Sequence, residues 1–256
     1  MDFLKPSRKR TIFSETLYVL LNVAMAAAIF GVVIAVNSPL PAFLLVALSK
    51  WRIFAVRPQY WYANLQSNLV DITVSLSFVV FLYTASGELY VQIALTALYI
   101  IWLLFLKPQS KRKWVVSQAG VGIFTGVTAL MHVSSSWWSV AVVALMWLIG
   151  YSHARHVLTS YREVHLGLLS LIWGLVVAEI GWLLYHWNFA YEFGSSDLKI
   201  SQAGVIVLLL SFIAMRGYNS IHEHKTLQSG YVMLPATLAI ISIILSLTIF
   251  GSIEGV

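Results

Sequence analysis

Cysteine is absent from the 256 residues. That excludes a disulfide framework, a thiolate nucleophile and a zinc-thiolate site. Charge is scarce too: 10% of residues are Asp, Glu, Lys or Arg, against about 25% in an ordinary soluble domain. Most of what remains is apolar, with 59% hydrophobic residues and a mean hydropathy of +0.83. Such a chain belongs in a bilayer, and it divides more naturally into spans of about 20 residues than into globular domains. The formal net charge of +6 does not point to nucleic acid. The basic residues fall in short clusters between apolar runs, where they set topology.

Nine apolar segments can be laid out in order, about 15–36, 40–56, 68–85, 89–106, 115–131, 137–151, 166–187, 200–215 and 231–250. Backbone groups in lipid must be satisfied within the segment, so each is expected to be helical. The basic tail Lys5-Pro-Ser-Arg-Lys-Arg10 precedes the first segment, which is too long for a signal-peptide core. With an inside N-terminus and nine crossings, all 16 Lys and Arg except Lys199 fall on the cytoplasmic side. Omitting the short second segment would put Lys107, Lys111, Arg112 and Lys113 on the other face. The expectation is therefore an all-α, polytopic integral membrane bundle forming a single transmembrane domain over residues 1–256. Its N-terminus would be cytoplasmic and its C-terminus external, in a cell membrane of prokaryotic type. One internal echo stands out: Ser117-Gln-Ala-Gly-Val121 recurs as Ser201-Gln-Ala-Gly-Val205 in the fifth and eighth helices. Three helices separate the copies, so they run in opposite directions, the relation expected of an inverted three-helix repeat.

The densest polar and aromatic stretch is Lys50 to Asp71, the cytoplasmic turn between the second and third helices. Lys50 and Asp71 both lie a few residues inside the bilayer, where lone charges are costly, so they are expected to pair. Arg52, Arg57 and Asn64 complete a basic, aromatic-rimmed candidate site for an anionic headgroup. Trp51, Tyr60, Trp61 and Tyr62 fit the aromatic belt at headgroup level. Glu179 lies well inside the seventh helix with no cation at its depth. It is expected to be uncharged or to face a polar cavity, either as a hydrogen-bonding group or as part of the mechanism. Gly174 and Gly181 flank it, and Gly122-x-x-x-Gly126 marks the fifth helix. Both patterns suit close helix approach. His153, His156, His165, His222 and His224, with Glu163 and Glu223, lack the H-E-x-x-H spacing, so no metal or other cofactor is expected.

Lys50 to Pro58 reads K-x6-R-P and is similar to the first signature of type 2 phosphatidic acid phosphatases, whose basic residues bind phosphate. Where that family has P-S-G-H, Glu88 follows Ser86-Gly87, and no S-R-x5-H-x3-D occurs. The nine-helix plan resembles the intramembrane prenyltransferases, and Arg57 and Asn64 have the spacing that opens their first motif. The Asp positions that hold magnesium diphosphate in that family are Leu65, Asn68 and Ile72 here. The two resemblances imply an enzyme acting on isoprenoid or phospholipid substrates, with its motifs incomplete, and the chain is assigned to neither family. The residues themselves favour binding or transport of an anionic lipid or small solute. A non-catalytic subunit of a membrane complex is the other class, and the expected partners are the bilayer, anionic headgroups and a membrane protein or a second copy.

Overall fold

Apolar runs of bilayer length fold as long helices throughout the computed structural model, which describes residues 12–36, 38–187, 190–192 and 198–249. Among the described residues nine α-helices follow one another: α1 Ile12–Ala35, α2 Leu40–Ser49, α3 Trp61–Thr84, α4 Leu89–Ile101, α5 Arg112–Val133, α6 Ser139–Ser160, α7 Leu166–His186, α8 Gln202–His224 and α9 Ser229–Ile249. With flanking turns included, eight of them are long and apolar enough to cross a membrane. The exception is α2. A helix of 10 residues rises roughly 15 Å, about half a hydrocarbon core.

The segment expected to cross over residues 40–56 is thus shorter as a helix than the sequence suggested. Its α-helix stops at Ser49, and Trp51–Ile53 and Pro58–Tyr60 form 3-10 turns. Two local causes are visible. Lys50 closes the helix with its N–H on Ala47 O, 3.1 Å away. Arg57, preceding Pro58, is pushed to an extended backbone with ψ 139°. Other boundaries move outward. The third helix begins at Trp61, not Asn68, because the polar residues of its first turns bond locally: Asn68 Nδ2 and Ser67 Oγ both donate to Asn64 O, at 2.8 and 2.9 Å. The sixth continues to Ser160 and the eighth to His224, so residues read as loop, His153 and His156 among them, are helical. A short antiparallel pair, β1 Ala190–Glu192 with β2 Lys199–Ser201, lies between α7 and α8 and was not anticipated. Residue 250, the end of the ninth expected segment, lies outside the described residues.

The core has two main halves. Ala26 and Ile29 of α1, Val46 of α2, Val74 and Leu82 of α3 and Tyr99 of α4 form one buried cluster. Ile123 of α5, Met146 of α6, Val177 of α7 and Val207 of α8 form the other. Glycines set the closest approaches. A side chain on Gly126 of α5 would meet Thr73 Cγ2 of α3 at 2.5 Å, and one on Gly181 of α7 would meet Met146 Cγ of α6 at 2.6 Å. The expected small-residue contacts at Gly122, Gly126, Gly174 and Gly181 are all present.

Hydrogen bonds show which helix ends lie together. Tyr18 of α1 donates to Leu103 O just after α4, at 3.1 Å. Gln118 of α5 donates to Leu106 O at 2.6 Å, and Tyr218 near the end of α8 donates to Glu163 just after α6. At the opposite end, Gln92 donates to Leu82 O at 2.9 Å and Tyr185 to Trp137 O at 2.7 Å. Every described Lys and Arg except Lys199 belongs to the first of these ends, called here the basic end.

The echo in α5 and α8 carries one buried amide side chain in each copy. Gln118 and Gln202, its second residues, are both buried, at 5% and 1% exposure. Each ties its helix to a neighbouring segment. Gln118 donates to Leu106 O and Gln109 O, and Gln202 donates to Ser246 O of α9 at 2.6 Å.

Candidate functional site

The Lys50 to Asp71 stretch folds so that its two ends meet. Lys50 Nζ forms an ion pair with Asp71 and also donates to Ser75 Oγ at 3.2 Å. A third charge joins them, since Lys107 Nζ lies 2.9 Å from the same Asp71 oxygen. Trp102 Nε1 donates to the other carboxylate oxygen at 3.4 Å. Lys107 reaches this carboxylate because Trp102–Leu106 is a π turn, closed by Lys107 N–H on Trp102 O at 2.9 Å. In an α-helix, residues five apart point about 140° away from each other. The wider turn brings residues five apart onto one side, so Trp102 and Lys107 converge on Asp71. Side chains of Lys50 and Asp71 are each 11% exposed, and Lys107 is 32% exposed.

The rest of the expected site does not converge on this triad. Arg52 and Arg57 point outward and are exposed. Asn64 donates to Ile53 O at 3.4 Å and Trp61 Nε1 to Val56 O at 3.0 Å, which fastens the 3-10 turns to α3. Glu179 lies elsewhere, on the exposed face of α7. The histidines disperse: the His153 ring nitrogen Nδ1 bonds Ile149 O, His156 Nε2 bonds Gln118 Oε1, and His222 packs on Tyr161 and Tyr218. Among the described residues no three His, Asp or Glu side chains gather as a metal would require.

A cavity of about 400 Å³ lies elsewhere, between α7 and α8, with α5 and α6 behind it. It opens because α7 packs along α6 and touches α8 little. Its wall is almost wholly apolar: Ile123 from α5, Leu158 from α6, Trp173 from α7, and Leu208, Phe212 and Met215 from α8. His153 contributes the inner polar edge, with Nδ1 held on Ile149 O at 2.6 Å. Its Nε2 is buried without a partner among the described residues and presses on α5 where Gly122 lacks a side chain.

Towards the basic end the wall turns polar and aromatic at Tyr218. Its ring meets Tyr161 edge-on at 5.2 Å. The Arg112 guanidinium sits 4.2 Å above the Tyr161 ring, and that of Arg216 lies 5.4 Å from the Phe212 ring. Tyr161 donates to Asn219 Oδ1 and Tyr218 to Glu163. Burial raises the Tyr161 hydroxyl above its ordinary pKa, with Arg112 opposing. The Tyr218 hydrogen bond, followed by the His165 N–H at 3.2 Å, holds the Glu163 carboxyl below the usual carboxylate range. That contact is therefore fully present above the ordinary carboxylate pKa and is lost as pH falls through the depressed one.

The sequence reading missed this cleft and the contacts of Arg112 and Arg216 with the Tyr161 and Phe212 rings. The only available signal was the clustering of Arg and Tyr near the ends of three helices, in Arg112, Tyr161-Arg162 and Arg216-Gly-Tyr218. Comparison with family models, curated proteins and solved structures finds no match for this chain.

Proposed function

We propose that this protein binds an anionic amphiphile of the membrane, with its acyl or isoprenoid chain in the cleft between α7 and α8 and its phosphate or carboxylate head at the basic end. One observation carries the reading: an apolar cavity of about 400 Å³ has Phe212 and Tyr218 in its wall, with Arg216 over the Phe212 ring and Arg112 over Tyr161, the ring that Tyr218 meets. That size suits a small-molecule pocket. The opposed chemistry of its two ends suits a ligand apolar along its length and negative at its tip. Arginine forks match planar or tetrahedral anions. The Lys50, Asp71 and Lys107 triad is then a clamp joining α2, α3 and the end of α4. It carries one more positive than negative charge, which draws anionic lipid towards this face.

The protein in this reading is a multi-pass protein of a cell membrane, with the N-terminus and the basic end cytoplasmic and the C-terminus external. Gathering of cations on the cytoplasmic face supports that orientation. The chain has no native cysteine, so single substitutions report cleanly. Ser86→Cys should react with a membrane-impermeant maleimide in intact cells, and Ser110→Cys only after permeabilisation. The reverse pattern would invert the assignment.

The ligand test uses protein in vesicles of phosphatidylcholine doped with phosphatidylglycerol, read by native mass spectrometry of the lipid that each protein retains. Wild type should retain the anionic lipid over the zwitterionic one. The Arg112→Gln, Arg216→Gln double variant should lose at least tenfold of that preference, as expected for removing charge-assisted contacts worth roughly 1.5–3 kcal/mol each. Ala214→Trp, which fills the cleft, should abolish retention of either lipid. Equal retention by all three proteins would sink the proposal.

A further inference from the structure

We infer that the outward face of α7 docks a transmembrane helix of a different protein, one that carries a Lys or Arg at the depth of Glu179. Glu179 is the sole Asp, Glu, Lys or Arg in α7. It is exposed, with no hydrogen bond or ion pair among the described residues. It interrupts a stripe of large apolar side chains at helical spacing, with Leu168, Leu171, Leu175 and Trp182 at 60, 43, 56 and 50% exposure. The opposite face of α7 is already used. Gly174 and Gly181 lie there against Trp147 and Met146 of α6.

The position of Glu179 leaves it no easy way to water. It lies about 10 Å from the C-terminal end of α7 and about 20 Å from the N-terminal end, at 1.5 Å per residue. Side chains on a helix tilt towards its N-terminus, so the carboxyl leans away from the nearer surface. The nearest group on α7 that can carry positive charge, His186, is a further two turns out, packed on the rings of Trp182 and Tyr185. A carboxylate on a lipid-facing stripe is costly, and an opposite charge on a docked helix removes that cost.

Charge complementarity also selects the occupant. A second copy beside the first, in the same orientation, brings no cation to this depth. Every described Lys and Arg but Lys199 lies at the other end of the bundle, and Lys199 belongs to β2, beyond α7. A two-fold pairing of α7 faces would set Glu179 against Glu179. A foreign helix with one basic residue amid apolar ones meets both the stripe and the charge. The surface is separate from the cleft and stands whether or not the cleft binds lipid.

The probe is a pair of Leu/Ala-rich transmembrane peptides, one with a single Lys at the matching depth and one with Leu there. Each carries an acceptor dye, and the full chain carries a donor on Ser136→Cys in phosphatidylcholine vesicles. Energy transfer should show the Lys peptide associating with wild type at least tenfold more strongly than the Leu peptide. E179Q should abolish that preference and E179D should keep most of it. Circular dichroism checks that E179Q folds, which is expected because Glu179 touches nothing the bundle needs. Equal association of the two peptides, no association of either, or a preference that survives E179Q would each overturn the inference. So would Glu179-dependent transfer between two labelled copies that the Lys peptide does not compete away, since the occupant would then be the chain itself.

Discussion

Asp71→Asn should be the most destabilising single change in the polar part of the bundle, at about 3–5 kcal/mol, the usual cost of stranding buried charge. Asp71 answers two ammonium groups, Lys50 and Lys107, and accepts from Trp102 Nε1. Its loss leaves Lys50, largely enclosed beside Ser75, with a neighbouring positive charge in place of a negative one. Lys50→Met should cost much less, about 1 kcal/mol, because Lys107 remains on the carboxylate and satisfies it. The double variant Lys50→Met, Asp71→Asn should be more stable than Asp71→Asn alone. Its remaining lysine is 32% exposed and can extend its amine away from the apolar core. Thermal unfolding of the four proteins in one detergent gives the coupling directly. Strict additivity, or equal costs for the two single changes, would show that Asp71 does not hold both lysines.

How far this triad could be read from sequence shows what sequence carries in an apolar chain. Lys50 and Asp71 were legible as a pair because charge is rare here and because burying two lone charges costs more than joining them. Lys107 was not, since in a regular helix it would point away from the face that Trp102 uses. Only the π turn brings it round, and nothing in Trp-Leu-Leu-Phe-Leu announces a π turn. The long helices were legible from hydropathy. Their polar extensions were not: Asn64 to Asn68 and Ser152 to Ser160 look like loop by hydropathy, yet their side chains bond within the helix. The cleft was invisible for a different reason. It depends on α7 leaning on α6 and leaving α8, a matter of packing angle between apolar faces of like composition. Glu179 was flagged by its charge alone. Its outward aim depends on which face of α7 the glycines give to α6, and the flanking Gly174 and Gly181 did carry that information.

Gly150→Ala tests the contact on which that arrangement depends. Among the described residues the α6 and α7 helices pack more extensively than any other pair, and Gly150 faces the first side-chain carbon of Val177. A methyl group there would stand 2.6 Å from Val177 Cβ and 2.8 Å from Val177 Cγ2. The Cβ is fixed to the α7 backbone and Val177 is fully buried, so no rotamer change relieves the overlap, and the helices must separate. Overpacking of this kind costs about 1–3 kcal/mol. The gain from replacing Gly by Ala inside a helix offsets up to about 1 kcal/mol of it. The net should be a lower unfolding temperature, with Gly150→Val worse and prone not to fold. Gly31→Ala supplies the opposite sign. Gly31 lies within α1 with nothing near the position a methyl group would take, so only the propensity gain acts, and the unfolding temperature should hold or rise. Separation of α6 from α7 also shifts Trp173 on the cleft wall, so Gly150→Ala should weaken lipid retention as well as stability, whereas Gly31→Ala should leave retention unchanged. Equal unfolding temperatures for Gly150→Ala and Gly31→Ala would mean that α6 and α7 are not packed at this distance.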